Sequence, residues 1–165
     1  MTRVRPIGRR SAYRLAALAL AASVLGACSS APAYPGTVFK GDGYSISVPS
    51  DLGLAKVEGQ DFWSAMNGTH PVAIAVLHVT DLLPAEQSLE GLRAKVQDTA
   101  VRGLFATSPT QTTVSLPAGA TYRLEGLTAT NPMILYLLYR SGVGYAISIE
   151  GFPSGLADQV MQTFR

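Results

Sequence analysis

The residue best suited to covalent chemistry is Cys28, the only cysteine of this 165-residue chain. An ionised thiol is a strong nucleophile, and the sequence offers no second thiol that could join it in a disulfide. Gly26 and Ala27 come directly before it, and their small side chains leave room for a peptidase. These residue types suit a modification of the Cys28 sulfur and leave room for a peptidase beside it.

An arginine-rich leader precedes this cysteine. Five arginines lie within residues 3–14. The apolar run 15–25 follows them, which is the order of a secretory signal. The run is about a dozen residues long, whereas a permanent transmembrane helix needs ~20. We therefore expect residues 1–27 to be a signal peptide that is removed. Arg9-Arg10 resembles a twin-arginine export signal, but the next residues fit that pattern poorly, so general positive charge is favoured.

The stretch Leu25-Gly26-Ala27-Cys28 resembles the lipobox of bacterial lipoproteins. In that family a diacylglycerol is attached to the cysteine sulfur, and the signal peptidase then cuts directly before the cysteine. The resemblance implies a membrane-lipid anchor on Cys28 and a location in the cell envelope. Ser29 after the cysteine implies the outer membrane where a cell has two. An ordinary secretory signal with an incidental cysteine, or a short anchor, are the alternatives.

The charge of the chain is unevenly distributed between leader and remainder. The formal charge of the whole sequence is +2, but the 138 residues after the leader carry eight basic and eleven acidic side chains, or −3. This balance makes nucleic acid an unexpected partner. The length suits a single domain, which we assign to residues 37–165. Residues 28–36 are small, polar and proline-broken, and are predicted to be a flexible tether.

Strand patterns dominate the domain. Alternation of apolar and polar residues predicts a strand over 44–48. A short second strand is expected over 61–66, because it carries Phe62 and Trp63 and is followed by the Asn67-Gly68 turn. Residues 71–80 and 133–139 are apolar at both parities, which predicts interior strands covered on both faces. Short turn segments separate the later strands, which favours antiparallel neighbours. These later strands are expected over 112–116, 120–125, 133–140 and 144–150.

Two amphipathic helices are expected to cover the sheet. The first runs over 88–104 with Ser88 as its N-cap, because apolar residues recur there every three or four positions. The second follows Pro153, with Ser154 as its N-cap. Helices that are apolar on one side, together with strands that are apolar on both, predict an α+β fold: an α/β/α sandwich with a central antiparallel sheet.

Four segments resemble the PsbP-like domains of bacterial lipoproteins, of the Mog/PsbP/DcrB type. The resemblance covers residues 41–165 and implies the same sandwich. Members of that family serve as docking modules, so the resemblance also implies a binding scaffold without catalytic residues. The segments are Gly43-Tyr44-Ser45-Ile46-Ser47-Val48-Pro49, Ser88-Leu89, Gly144-Tyr145-Ala146-Ile147-Ser148 and Met161-Gln162-Thr163-Phe164.

No residue pattern in the domain points to catalysis. His78 lies in an apolar strand, and His70 is too far along the chain to form a local motif with it, so we interpret His78 as structural. No serine lies in a nucleophile-elbow context. The acidic residues are scattered, which predicts no metal site. Gly142-Val143-Gly144 lies between strands rather than before a helix, so a phosphate site is not expected. We expect no enzyme activity and no cofactor.

Two sets of side chains remain for binding or packing. Phe62 and Trp63 precede the Asn67-Gly68 turn and are candidates for partner contact, since aromatic residues concentrate at interfaces; burial in the core is the favoured alternative. Four charged residues fall on outward parities of neighbouring strands and are interpreted as cross-strand charge pairs. They are Arg123, Glu125, Arg140 and Glu150.

The sequence therefore predicts a lipid-anchored envelope protein that acts as a non-enzymatic docking or accessory module. Its partners would be membrane lipid, through Cys28, and an envelope protein. The alternative is a carrier of a small ligand or lipid, with a cavity between helix and sheet.

Overall fold

Antiparallel strands make up most of the part of the chain that the structure describes, residues 34–96 and 102–165 of a computed structural model. Three helical segments accompany them. They are α1 (Leu89–Val96), α2 (Arg102–Leu104) and α3 (Ser154–Met161). The strands are β1 (Gly36–Gly41), β2 (Tyr44–Pro49), β3 (Ala55–Lys56), β4 (Phe62–Asn67), β5 (His70–Val79), β6 (Thr110–Leu116), β7 (Gly119–Leu127), β8 (Pro132–Arg140) and β9 (Val143–Glu150).

Seven strands form one sheet in the order β3-β4-β5-β9-β8-β7-β6, and every neighbouring pair is antiparallel. The strands β1 and β2 form a separate hairpin, which turns at Asp42-Gly43. Gly43 has a φ of 71° there, a conformation that glycine adopts without steric cost. The seven strands that the sequence predicts are all present, so the expectation of a central antiparallel sheet is confirmed.

The sequence did not predict β1 and β3. β3 has only two residues, too few for a periodic signal. β1 begins inside the stretch that we assigned to the tether, at Gly36. Tyr34, two residues earlier, donates a hydrogen bond from its hydroxyl to the carbonyl oxygen of Ser47 at 2.9 Å. The last three residues of the expected tether therefore contact the domain.

One face of the sheet is covered by the β1–β2 hairpin and α3. The core on this side contains large side chains from β2, β5, β8 and β9 together with buried residues of α3. The end of the chain closes this layer, because Ser45 and Arg165 exchange two backbone hydrogen bonds of 3.0 Å. We call this side of the sheet the hairpin face.

The opposite face carries α1. Leu92 and Val96 of α1 pack there against Leu124, Leu135 and Leu137. Main-chain contacts of α1 with the sheet lie over β7 and β8. We call this side the α1 face. Because one short helix covers only part of it, sheet rather than helix dominates the fold.

The predicted helix over 88–104 is described only at its two ends, since residues 97–101 lie outside the described chain. Its expected cap is confirmed: the Ser88 hydroxyl accepts a hydrogen bond from the Gly91 amide at 3.0 Å. The prediction of Ser154 as an N-cap is wrong. Pro153 occupies that position without a side-chain hydrogen bond, and Ser154 is the first helical residue.

The predicted cross-strand charge pairs are wrong. Arg123 pairs with Glu125 on its own strand, at 2.7 Å, and with Asp158 of α3, at 2.9 Å. Arg140 instead donates to the carbonyl oxygen of Gly43, at 3.1 Å. Glu150 accepts from Thr128 and Asn131, at 3.2 Å each. Parity could place these side chains on a face but could not show that α3 and the loops supply nearer partners.

Candidate binding groove

An apolar groove lies on the α1 face, beside the part of the sheet that α1 leaves uncovered within the described residues. Strands β4, β5, β8 and β9 contribute to it, together with α1 and α2. Its volume is about 760 Å³, within the range of ~300–1,000 Å³ that small-molecule sites occupy. Its lining includes Phe62, Ala75, Leu77, Leu104, Leu135, Ala146 and Ser148.

The depth of the groove comes from small residues on two central strands. Ala75 of β5 pairs with Ser148 of β9, so two small side chains meet across the floor, and the small Ala146 of β9 lies opposite Leu77. On the hairpin face the same two strands carry Ile74, Val76, Ile147 and Ile149. Since successive side chains of a strand point to opposite faces, large residues fill one face and small residues leave space on the other.

Larger apolar side chains form the sides. Phe62 pairs with Ala75 from β4, and Leu135 pairs with Ser148 from β8, so both lie in the same row across the sheet. Val96 of α1 and Leu104 of α2 line the helical side. Leu77 is 64% exposed and Leu104 is 42% exposed, which is unusual for leucines that lie next to a core. These two mark the open mouth.

The prediction that residues 71–80 are covered on both faces is therefore wrong for the α1 face, which is open over Ala75 and Leu77. Val72, Ile74 and Val76 are buried on the hairpin face, and Ala73 is buried on the other. Leu77 points into the groove and faces solvent. An interior strand that is apolar on both faces needs two covering layers, and α1 lies over β7 and β8 instead of β5.

Charged groups around the rim are already paired. The Lys95 ammonium lies 2.9 Å from a carboxylate oxygen of Asp81 and 3.8 Å from one of Glu86. Hydrogen bonding to Lys95 lowers the pKa of the exposed Asp81 carboxyl below its ordinary value. Asp61 lies 3.5 Å from the Lys56 ammonium. Each of these charged groups therefore has a counter-charge nearby.

The structure separates the two aromatic residues that were candidates for partner contact. Trp63 is 2% exposed and stacks on Phe39 of the hairpin, with ring centroids 4.9 Å apart. It belongs to the core and cannot present a contact surface. Phe62 points the opposite way and lines the groove. The physical reason is the alternation of a strand, which sends neighbouring side chains to opposite faces.

His78 lies on the hairpin face, within an aromatic cluster. Its ring meets those of Tyr44 and Tyr145 edge-on, at centroid distances of 5.8 and 5.0 Å. Its Nε2 and the hydroxyl of Tyr44 are buried and make no hydrogen bond with other described residues. Burial raises the pKa of Tyr44, and the Asp61 carboxylate adds to the rise. The packing is that of core rings, which agrees with the structural interpretation of His78.

Cys28 and Ala27, the residues of the expected lipidation and cleavage site, lie outside the described residues. Within residues 34–96 and 102–165, no three His, Cys, Asp or Glu side chains are grouped so that they could hold a metal ion. In the same residues, no helix combines the length and the apolar character that crossing a membrane requires.

Comparison with known proteins shows which known fold this architecture resembles. No protein-family model and no curated protein sequence matches the chain. The solution structure of cyanobacterial PsbP (CyanoP) from Synechocystis sp. PCC 6803 superposes with a TM-score of 0.50, over 86% of this chain and 98% of that one. The fold is PsbP-like. At 17% sequence identity, the likeness to PsbP concerns the fold alone.

Sequence reasoning expected a PsbP-like domain, and the structure confirms that fold. It missed the groove residues Ala75, Leu77, Ala146 and Ser148. A signal for them is present in the sequence: residues 72–76 and 145–149 alternate large and small side chains, with the small ones on one parity. Such alternation on two neighbouring strands of a PsbP-like sheet predicts a depression on one face.

Proposed function

We propose that this protein is a lipid-anchored, non-enzymatic protein of the cell envelope that carries a small apolar ligand in its groove. The observation that carries the proposal is the groove itself, an apolar space of about 760 Å³ between helix and sheet. The lipobox-like stretch before Cys28 supports the anchor. Helices α1 and α3 lie on opposite faces, which supports describing the domain as a sheet-dominated α/β/α sandwich.

Docking to an envelope protein is the second candidate function. The exposed leucines Leu77 and Leu104 favour it, because exposed apolar side chains that lie together mark interaction sites. The PsbP-like fold supports a binding scaffold by analogy only. In both candidate functions the groove is the binding surface, and they differ in whether a small molecule or a protein occupies it.

Affinity purification from envelope extracts distinguishes the carrier function from the docking function. We expect a small apolar molecule to co-purify with the wild-type protein, and to be lost in Leu77→Asp, which places a carboxylate at the mouth. Val38→Asp is the matched control, because Val38 is also exposed, at 56%, but lies on the hairpin. A single stoichiometric protein that depends on Leu77, with no small molecule, would instead establish docking.

The anchor has its own test. Cys28→Ser removes the acceptor thiol, so we expect an uncut precursor that takes up no labelled fatty acid. Ser29→Ala keeps the thiol and should be labelled and processed like the wild type. Labelling of the Cys28→Ser variant would show that the lipid, if any, is attached elsewhere, and the proposed anchor would then be wrong.

A further inference from the structure

We propose that the groove binds the hydrocarbon chain of an uncharged lipid, supplied by another molecule rather than by the protein's own anchor. This inference rests on the carrier function proposed above and specifies its ligand. It follows from the backbone of the groove floor, from the charges at the rim and from the side of the sheet on which the chain enters the domain.

The floor has no main-chain group to offer a peptide. Around the floor residues Ala75, Ala146 and Ser148 each strand has a paired neighbour on both sides: β5 pairs with β4 over His70–Ala75 and with β9 over Ala73–Val79, and β9 also pairs with β8. The amide and carbonyl groups of these floor residues are therefore used within the sheet, whereas residues 77–79 of β5, at the mouth, pair with β9 only. An extended peptide in the groove would bury its own amides without partners, which is costly. A hydrocarbon chain carries no such groups, so the floor suits it better.

Most side chains of the floor and mouth are apolar, and the polar side chains of the lining other than Ser148 are Gln60, Asp61, Asp81 and Lys95. Alanines and leucines line most of the floor and mouth, and Ser148 is the polar residue of the floor. Each methylene group that leaves water in such surroundings contributes about 0.8 kcal/mol. Ala75, Ala146 and Ser148 together form a patch of small residues on which a linear chain can lie.

The charges at the rim disfavour an ionised head group. Asp61 and Asp81 of the lining supply two carboxylates, against the ammonium group of Lys95, and each of the three lies within 4 Å of an opposite charge. An anionic head group would meet a small excess of negative charge. A cationic one would have to displace an existing partner. An uncharged head group at the mouth faces neither cost.

The lipid anchor of the same chain is a poor candidate for the occupant. Tyr34, where the described chain begins, packs against the core on the hairpin face. It is held there by its hydrogen bond to Ser47. The groove lies on the α1 face, on the other side of the sheet. Tyr34 lies six positions after Cys28, and an extended chain of that length spans about 20 Å. A lipid supplied by another molecule reaches the mouth at Leu77 directly.

Photolabelling of the full-length protein in its own membranes tests this inference. The probe is an uncharged 1-O-alkylglycerol with a photoreactive group on the alkyl chain, and adducts are mapped on the purified protein by mass spectrometry. We expect adducts on groove residues of β5 and β9. Leu77→Asp and Ala75→Leu should lower their yield at least about tenfold, one by charge and one by filling the floor. Val38→Asp should leave it within about twofold.

Equal adduct yields in Leu77→Asp, Ala75→Leu and Val38→Asp would overturn the inference. So would adducts confined to the hairpin, because these would report contact with the bilayer. A matched photoreactive fatty acid should label the groove less than the alkylglycerol, and equal labelling would overturn the uncharged head group. A groove without adducts in a protein whose Cys28 is lipidated refutes this ligand and leaves the anchor standing. Groove adducts on a chain without lipid at Cys28 would support this ligand and refute the proposed anchor.

Discussion

At the scale of single residues, Asp158 holds α3 to the sheet through two charged or polar partners. Its Oδ1 accepts a hydrogen bond from the Tyr136 hydroxyl at 2.6 Å and another from Arg123 Nε at 2.9 Å. Tyr136 is fully buried, at 0% exposure. Burial raises the pKa of Tyr136 above its ordinary value, and the Asp158 carboxylate adds to the rise. The tyrosine therefore stays protonated in the folded chain at pH values where a free tyrosine ionises.

This raised pKa predicts an alkaline loss of stability. Above the ordinary tyrosine pKa of ~10, the unfolded chain gives up a proton that the folded chain retains. The free energy of unfolding should then fall with rising pH, by up to about 1.4 kcal/mol per pH unit for this tyrosine. Tyr136→Phe removes that dependence and should show a shallower fall in urea unfolding above about pH 10. It should also be less stable near neutral pH by about 1–3 kcal/mol, since Asp158 loses a donor.

Tyr44 contributes to the same slope, because its pKa is raised too. The Tyr136→Phe variant is therefore expected to keep part of the alkaline dependence. Identical slopes in the variant and the wild type would contradict the prediction. They would mean that the Tyr136 hydroxyl ionises alike in the folded and unfolded chain.

At the scale of elements, β8 is the strand on which both layers depend. Ile134 is 2% exposed and belongs to the core of the hairpin face, while Leu135 is 3% exposed and belongs to the core of the α1 face. Strand β8 lies between β7 and β9, so its backbone is paired on both sides. A neighbouring strand thus pairs with each edge of β8, and a packed layer covers each of its two faces.

Ile134→Asp and Leu135→Asp should both be severely destabilising. Either change places an unpaired charge among apolar side chains, at a cost of several kcal/mol, which is comparable with the total stability of a domain this size. Urea unfolding of residues 34–165, followed by Trp63 fluorescence, measures the loss. Leu127→Asp is the control, because Leu127 is 56% exposed and should change stability by no more than about 0.5 kcal/mol. A mild effect of either β8 variant would show that one face is wet.

At the scale of the whole molecule, the two apolar cores share their strands and should not unfold separately. Strands β8 and β9 supply side chains to both cores, with Ile147 on the hairpin face and Ala146 on the α1 face. Loss of the packing on one face would therefore loosen the same strands that carry the core of the other face. The described domain is therefore expected to behave as one cooperative unit.

Leu92→Ala tests this cooperativity. Leu92 belongs to α1 and is fully buried against the sheet, so the substitution should cost about 2–5 kcal/mol. Trp63 lies on the other face and is the only tryptophan. Its fluorescence should nevertheless report the same lowered urea midpoint as the far-ultraviolet circular dichroism. A Trp63 transition that keeps its wild-type midpoint while the circular dichroism shifts would show that the faces unfold independently.

The sequence by itself determined seven of the nine strands in the described residues, because the pattern of side chains along a strand is a local property that survives any packing arrangement. The apolar parity of residues 133–139 was enough to predict that β8 is buried on both faces, and the structure confirms it. The Asp42-Gly43 and Asn67-Gly68 turns were likewise predictable, since each needs a glycine at positive φ. Cys28 and its leader also rest on sequence alone.

Only the tertiary structure decided where the helical cover ends. Residues 71–80 carry the same apolar signal as β8, yet Leu77 is exposed because α1 lies over β7 and β8. The amphipathic pattern of a helix shows which side is buried but not which strands lie beneath it. The partners of Arg123 were hidden for the same reason, since Asp158 is 35 residues away along the chain. The groove exists because of this offset between α1 and β5, a long-range relation that no local periodicity contains.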